Sequence, residues 1–372
     1  MAGFAQEIEA FGAWRRALAD VVRGYAGWLS EAQLSDPQSQ AHLERIRQLL
    51  LGDRLQLAFV AEFSRGKSEL INAIFFGGYG QRVVPSSAGR TTMCPTELLW
   101  DPQLPPSVRL LPIETRLREA TLTELREQPE QWHELRIDAD DVADVVAAFG
   151  RVSETRRVSV EEAIGLALYD PDDDDARLQP APDGTLEVSR WRHAIVNLPH
   201  PLLEQGLVIV DTPGLNAIGA EPELTFNLIP AAHAVLYVLA ADTGVTRSDI
   251  EVWKDHVGTG QARYAVLNKI DSLRDGMRSE AQIEREVDRQ VEAVSRVLQL
   301  PRDRVFPLSA QKALLAKVRG DAELLERSRL EALERVLIDE LIPERRSIVA
   351  QQVRAEFDAA RGATQAMLTA RR

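Results

Sequence analysis

Residues 55–76, LQLAFVAEFSRGKSELINAIFF, constrain the chain more than any other stretch. The apolar run LQLAFV enters a short loop ending in Gly66, Lys67 and Ser68, and apolar residues then recur at helical spacing. Strand, loop and helix in that order are the setting of the phosphate loop G-x-x-x-x-G-K-[ST] and commit the region to an α/β domain. Main-chain N–H groups of Glu62, Phe63, Ser64, Arg65 and Gly66 are expected to cradle phosphates. Lys67 reaches the β- and γ-phosphates and Ser68 offers its hydroxyl to Mg2+. Ala61 departs from the pattern, standing where the first glycine usually is. A methyl is the smallest group that can be added there, so a nucleotide site is still expected.

Four further apolar runs, 206–210, 234–240, 264–267 and 304–308, alternate with helical patterns. With the phosphate loop, this predicts a P-loop domain of α/β class with a mostly parallel central sheet. Three of the runs end in chemistry. LVIVDTPGL sets Asp211 at a strand end, where a carboxylate holds the water shell of Mg2+ and the Gly214 N–H faces a γ-phosphate. YAVLNKID supplies Asn268, Lys269 and Asp271, a spacing in which one carboxylate accepts two N–H donors of a guanine edge that adenine does not present. GTP and GDP are therefore expected as substrate and product. VFPLSAQKA puts Ser309 and Ala310 after the last strand, with the Ala310 N–H expected at the guanine carbonyl.

The flanks read differently. Phe4, Ile8, Phe11, Leu18, Val22, Tyr25 and Leu29 recur at three- and four-residue steps, interrupted only by Arg15, and a second helical stretch covers 42–51. A third, from about 322 to 370, keeps the period through Leu330, Leu333, Leu337 and Leu341, and Pro343 should bend it. These helices fit either the core of one domain or a bundle made from both chain ends. The boundaries expected are 1–52 for N-terminal helices, 53–317 for the nucleotide domain and 318–372 for C-terminal helices. Residues 114–190 form a partly loop-like insertion, with helices near 138–149 and 160–169. The acidic run at 170–175 lacks the spacing of a Ca2+ loop and reads as solvated. A formal net charge of -13 argues against a nucleic-acid partner, since phosphate neutralisation needs clustered Lys and Arg. One cysteine, Cys94, excludes an internal disulfide framework. With acidic Glu7 and Glu9 at the start and no apolar run of membrane-spanning length, a cytoplasmic chain is expected, with membrane contact peripheral at the inner face.

Through EFSRGKS, RTTMCPTEL, DTPGL and NKID, residues 50–317 resemble the dynamin superfamily of large GTPases, in particular bacterial dynamin-like proteins. The resemblance makes Thr92, followed by Pro95, the switch threonine that binds Mg2+ and positions the attacking water. Thr91 and Thr96 are its neighbouring candidates. Asp211 follows Ser68 by 143 residues (211 − 68), which suits a large GTPase with an insertion. Leu215 stands where Ras-like enzymes carry the water-orienting glutamine. By resemblance, Ser64 and main-chain groups near it hold a charge-compensating monovalent cation, Thr92 orients water, and pairing of two GTPase domains orders both. Asn216 is a weaker candidate for the water. Arg65 reads as a solvated or interface arginine rather than a finger acting in cis, and Cys94 as a small apolar filler. The resemblance further implies a partner that is a second copy or a second dynamin-like protein. It implies lipid contact through regions outside a chain that stops inside a helix at TARR and reads as truncated. The function expected is membrane remodelling or tethering driven by GTP hydrolysis; the alternative is a regulatory GTP switch that recruits a protein and has no membrane role.

Overall fold

The structure is a computed structural model that describes residues 2–370 apart from 33, 35–36, 52–53, 63, 86–93, 119, 170, 172–179, 205, 213–227, 258–260, 275–277 and 342–344. In chain order the strands are β1 (Leu55–Ala61), β2 (Thr96–Leu99), β3 (Ser107–Pro112), β4 (His133–Arg136), β5 (Thr155–Ser159), β6 (Thr185–Ser189), β7 (Trp191–Asn197), β8 (Leu207–Asp211), β9 (Ala234–Ala240), β10 (Ala262–Asn268) and β11 (Val305–Pro307). Nine form one sheet in the order β11-β10-β9-β1-β8-β2-β7-β3-β4, and β5 pairs separately with β6. From β11 to β8 every pairing is parallel, then β2 lies antiparallel to β8. Along β1, Leu55, Leu57, Phe59 and Ala61 join one apolar cluster, while Ala58 and Val60 join another on the opposite face. Burial on both faces is what a near-continuous apolar run in a parallel strand requires.

Register sets the site. Phe59 lies opposite Asp211, Ala61 opposite Val238, and Asn268 opposite Ala240, so the C-terminal ends of β1, β8, β9 and β10 share one edge of the sheet. Loops leaving that edge carry the candidate residues, the usual arrangement in open α/β sheets.

Helices α1 (Ala2–Glu31) and α2 (Pro37–Leu51) pack with the Arg345–Ala370 helix around their own core, which includes Val22, Leu29, Leu43, Ile46, Leu50, Val353 and Ala360. Both chain ends thus build one bundle. Tyr25 donates to Thr364 across it at 3.2 Å. At its foot, Gln352 Nε2 donates to Ala232 O at 3.1 Å, just before β9. The expected single helix over 322–370 is broken instead. Ala322–Ser328 and Leu330–Val336 are separated by Arg329 in the left-handed region, φ 62°. Leu330, Leu333, Leu337 and Leu341 all pack into a sheet-face cluster rather than the bundle. Pro343 lies outside the described residues, as does most of the acidic run. The insertion holds more regular structure than expected. β5, β6 and the Val160–Gly165 helix enclose a small core of Ile113, Val158, Ala163, Leu166 and Val188.

Candidate functional site

At the end of β1 the chain turns through Ser64 and Gly66, both left-handed, with φ 64° and 87°. Helix α3 (Lys67–Ile71) starts directly after Gly66. Ala61 is absent from the positive-φ residues: it is still strand, fully buried, with its methyl in the apolar core. The loop therefore does not need a glycine there. It does need one at Gly66, where an added Cβ would collide with the Asn268 side-chain amide.

Asn268 is the hub of the site. Its Nδ2 donates to Arg65 O at 2.9 Å, and its Oδ1 accepts from Lys269 N at 2.8 Å and Ala310 N at 2.9 Å. One buried amide thereby fastens the β1–α3 loop to the loops that follow β10 and β11. The Ala310 N–H, expected at a guanine carbonyl, meets Asn268 Oδ1 in this structure. Ser309 is buried, caps the Ala310–Arg319 helix through Lys312 N, and donates its own N–H to Ser328 O at 3.0 Å. Lys269 is left-handed, φ 61°, and its Nζ donates to Asp242 Oδ2 at 3.0 Å. Burial works to raise the Asp242 pKa, but the Lys269 charge and hydrogen bond outweigh it and hold that carboxyl below its ordinary value. Asp271 lies partly exposed in the 3-10 turn that follows.

Lys67 and Asp211 are both buried, and the Lys67 ammonium is ion-paired to Asp211 Oδ1. Ser68, also buried, follows Lys67 on the same helix. A hydroxyl and a carboxylate are the hard oxygen donors that suit Mg2+, and a glycine held open against Asn268 is a loop shaped for close backbone approach. The residues present fit a Mg2+–nucleotide site. Thr212 is spent structurally, its hydroxyl donating to Phe59 O at 2.8 Å. Thr96 likewise donates to Cys94 O at 3.1 Å, opposite Asp211 in the β2–β8 pairing. Cys94 is fully buried in the apolar cluster. Phe63, Thr91, Thr92, Gly214, Leu215 and Asn216 lie outside the described residues.

Arg65 is buried in this chain rather than solvated. Only 6% exposed, it pairs with Glu62 at 2.6 Å and Asp249 at 3.2 Å and donates to Thr243. Glu62 also accepts from Ser248. Burial pushes the Asp249 carboxyl up despite hydrogen bonds from Thr246 and the Arg65 charge, and it lifts the Tyr237 phenol, which donates to Asp249 O at 3.0 Å. The guanidinium is committed to Glu62, Asp249 and Thr243. Sequence reasoning missed Asp249 and Thr246. Their signal was the capping box T-x-x-D that opens the Arg247–His256 helix.

A model of the dynamin family matches residues 57–271. A bacterial dynamin-like protein of Nostoc punctiforme is 31% identical over 86 residues, 23% of this chain and 12% of its own length. A probable transmembrane GTPase, FZO-like and chloroplastic, of Arabidopsis thaliana is 31% identical over 156 residues, 42% of this chain and 16% of that one. An uncharacterised protein from the xynA 3' region of a Caldicellulosiruptor species is 22% identical over 321 residues, covering 86% of this chain and 65% of the relative. This chain thus spans less than two thirds of each of these relatives. Among solved structures, an oligomerised bacterial dynamin pair aligns over 96% of this chain and 56% of its own, with 14% identity and a TM-score of 0.48.

Proposed function

The chain belongs to the dynamin family and carries its GTPase domain, and from that premise we propose that it binds guanine nucleotide at the β1–α3 loop and hydrolyses GTP to GDP and phosphate. The observation that supports this most is the convergence of Lys67, Ser68, Asp211 and Asn268 on one edge of the sheet. Asp271 reads the guanine edge and Lys269 flanks the base. Lys67 leaves Asp211 for the β- and γ-phosphates, where its charge offsets charge developing on the leaving group. Ser68, Asp211 and Thr92 are the residues assigned to hold Mg2+, which would supply positive charge to the phosphates when bound. Leu215 has no group to orient water, so that task is assigned to Thr92, with Ser64 beside a monovalent cation. Both are ordered when two GTPase domains pair across their nucleotide faces. The bundle carries the nucleotide state onward to membrane tethering or remodelling. No helix among the described residues is long and apolar enough to cross a membrane.

Calorimetric titration with GTP, GDP and ATP tests the base reading. GTP and GDP should bind and ATP should not, and Asp271→Ala should cost about 3 kcal/mol of guanine affinity, the worth of two charge-assisted hydrogen bonds. Equal binding of ATP and GTP by the parent chain would overturn it. Lys67→Ala should abolish turnover, and undiminished turnover in that variant would remove the phosphate-loop assignment.

A further inference from the structure

Asn72 lies four residues after Ser68, one helical turn on, where α3 passes into the π turn Asn72–Phe76. Its side chain is fully buried. Nδ2 donates to Val84 O at 2.8 Å, while Oδ1 accepts from Val83 N and Val84 N, both at 2.9 Å. Val83 and Val84 belong to no helix or strand, so a side chain on the phosphate-loop helix supplies the bonds that a ladder would otherwise give. Arg82, just before them, returns to the same helix through Glu69, with Nε to Oε2 at 2.9 Å and Nη2 to Oε1 at 2.6 Å. Val84 and Pro85 then line one small pocket with Thr96 and Asp211. The segment eight residues before Thr92 and the strand after it therefore meet beside the carboxylate assigned to Mg2+.

An amide is a costly choice for that position if packing were all it did. Its chain neighbours Ile71 and Ala73 and its partners Val83 and Val84 all belong to one apolar cluster, where an aliphatic side chain would have no polar group to satisfy. Accepting the GTPase reading above, we propose that Asn72 is a positioning residue for hydrolysis. It fastens residues 83–84, the lead-in to the Thr92 stretch, to the helix that carries Lys67 and Ser68. The tether holds Val84 and Pro85 in the pocket that Thr96 and Asp211 also line, whereas GDP is to be held by the phosphate loop and the base motif.

Asn72→Ala and Asn72→Asp separate this role from simple support of the helix. The aspartate keeps both acceptor bonds and loses the donor to Val84 O, so it tests the tether if the alanine variant fails to fold. Single-turnover hydrolysis at saturating GTP should fall about tenfold or more in Asn72→Ala and about threefold to tenfold in Asn72→Asp. Kd for GDP should stay within about threefold in both. Trypsin cleavage of the Arg82–Val83 bond, read by mass spectrometry under native conditions, should accelerate about tenfold in Asn72→Ala, because that bond opens locally once its tether is gone. A loss of GDP affinity equal to the loss of turnover overturns the proposal in favour of plain support for the helix. An active parent chain with undiminished variants overturns it alone. A parent chain with no turnover overturns the GTPase reading and this role with it, whatever the trypsin rates.

Discussion

Gly66 answers two demands at once, a left-handed backbone and contact with Asn268, and neither leaves room for a side chain. Gly66→Ala should therefore weaken GDP binding about tenfold or more in a calorimetric titration. Ala61→Gly should change affinity by less than about tenfold, because Ala61 is a strand residue with its methyl in the core. Arg65 gives the sharpest residue-scale contrast. Arg65→Ala leaves Glu62 and Asp249 buried without their cation and should cost about 3–5 kcal/mol in denaturant unfolding. Glu97 supplies a pH signature. Burial alone would raise its carboxyl, but Arg126 and His193 outweigh burial and hold it down at about 2. Depressed below its unfolded value, it contributes stability that is present above about pH 4.5 and lost as pH falls towards 2. At the low-pH end the loss amounts to about 3 kcal/mol. Thermal unfolding of Glu97→Gln across that window should show a flatter acid limb than the parent, and an unchanged limb would refute the assignment.

β1, β8, β9, β10 and β11 were legible because buried parallel strands read as unbroken apolar runs, and the motif residues hang from their ends. The missing half of the sheet was not. β2 and β7 carry Glu97 and His193, fully buried and hydrogen-bonded to each other at 3.0 Å, so the polar residues that hide these strands in the sequence are satisfied only in three dimensions. The same reason hid the environment of Arg65, whose partner Asp249 lies 184 residues away. The long C-terminal helix was misread because a leucine period says that a face is buried without saying against what. Leu330 to Leu341 face the sheet, and a new helix then joins the bundle. Since the bundle core is separate from both sheet clusters, Ile46→Ala should destabilise α2 by about 2–5 kcal/mol, measured as lost amide protection. Its effect on GDP affinity should be negligible; a parallel loss would mean that the two cores fold and bind as one.

For the whole molecule, the test of the pairing mechanism is concentration. A lone chain, with Leu215 in place of a water-orienting side chain, should turn GTP over slowly, and specific activity should rise with protein concentration as nucleotide faces pair. GDP with aluminium fluoride should drive monomer to dimer in sedimentation while GDP alone should not, since only a ligand that favours the paired state can shift the equilibrium. Flat activity over a hundredfold range, with a monomer in every nucleotide state, would favour the regulatory switch. One strand runs from the foot of the bundle to the Arg65 cluster. Gln352 grips Ala232 just before β9, and Thr243, just after β9, takes the Arg65 hydrogen bond. Seven residues of strand, about 23 Å, separate the two contacts. A strand buried on both faces and laddered to β1 and β10 on both edges holds those two contacts at a fixed separation, so the foot of the bundle and the Arg65 cluster share one rigid spacer.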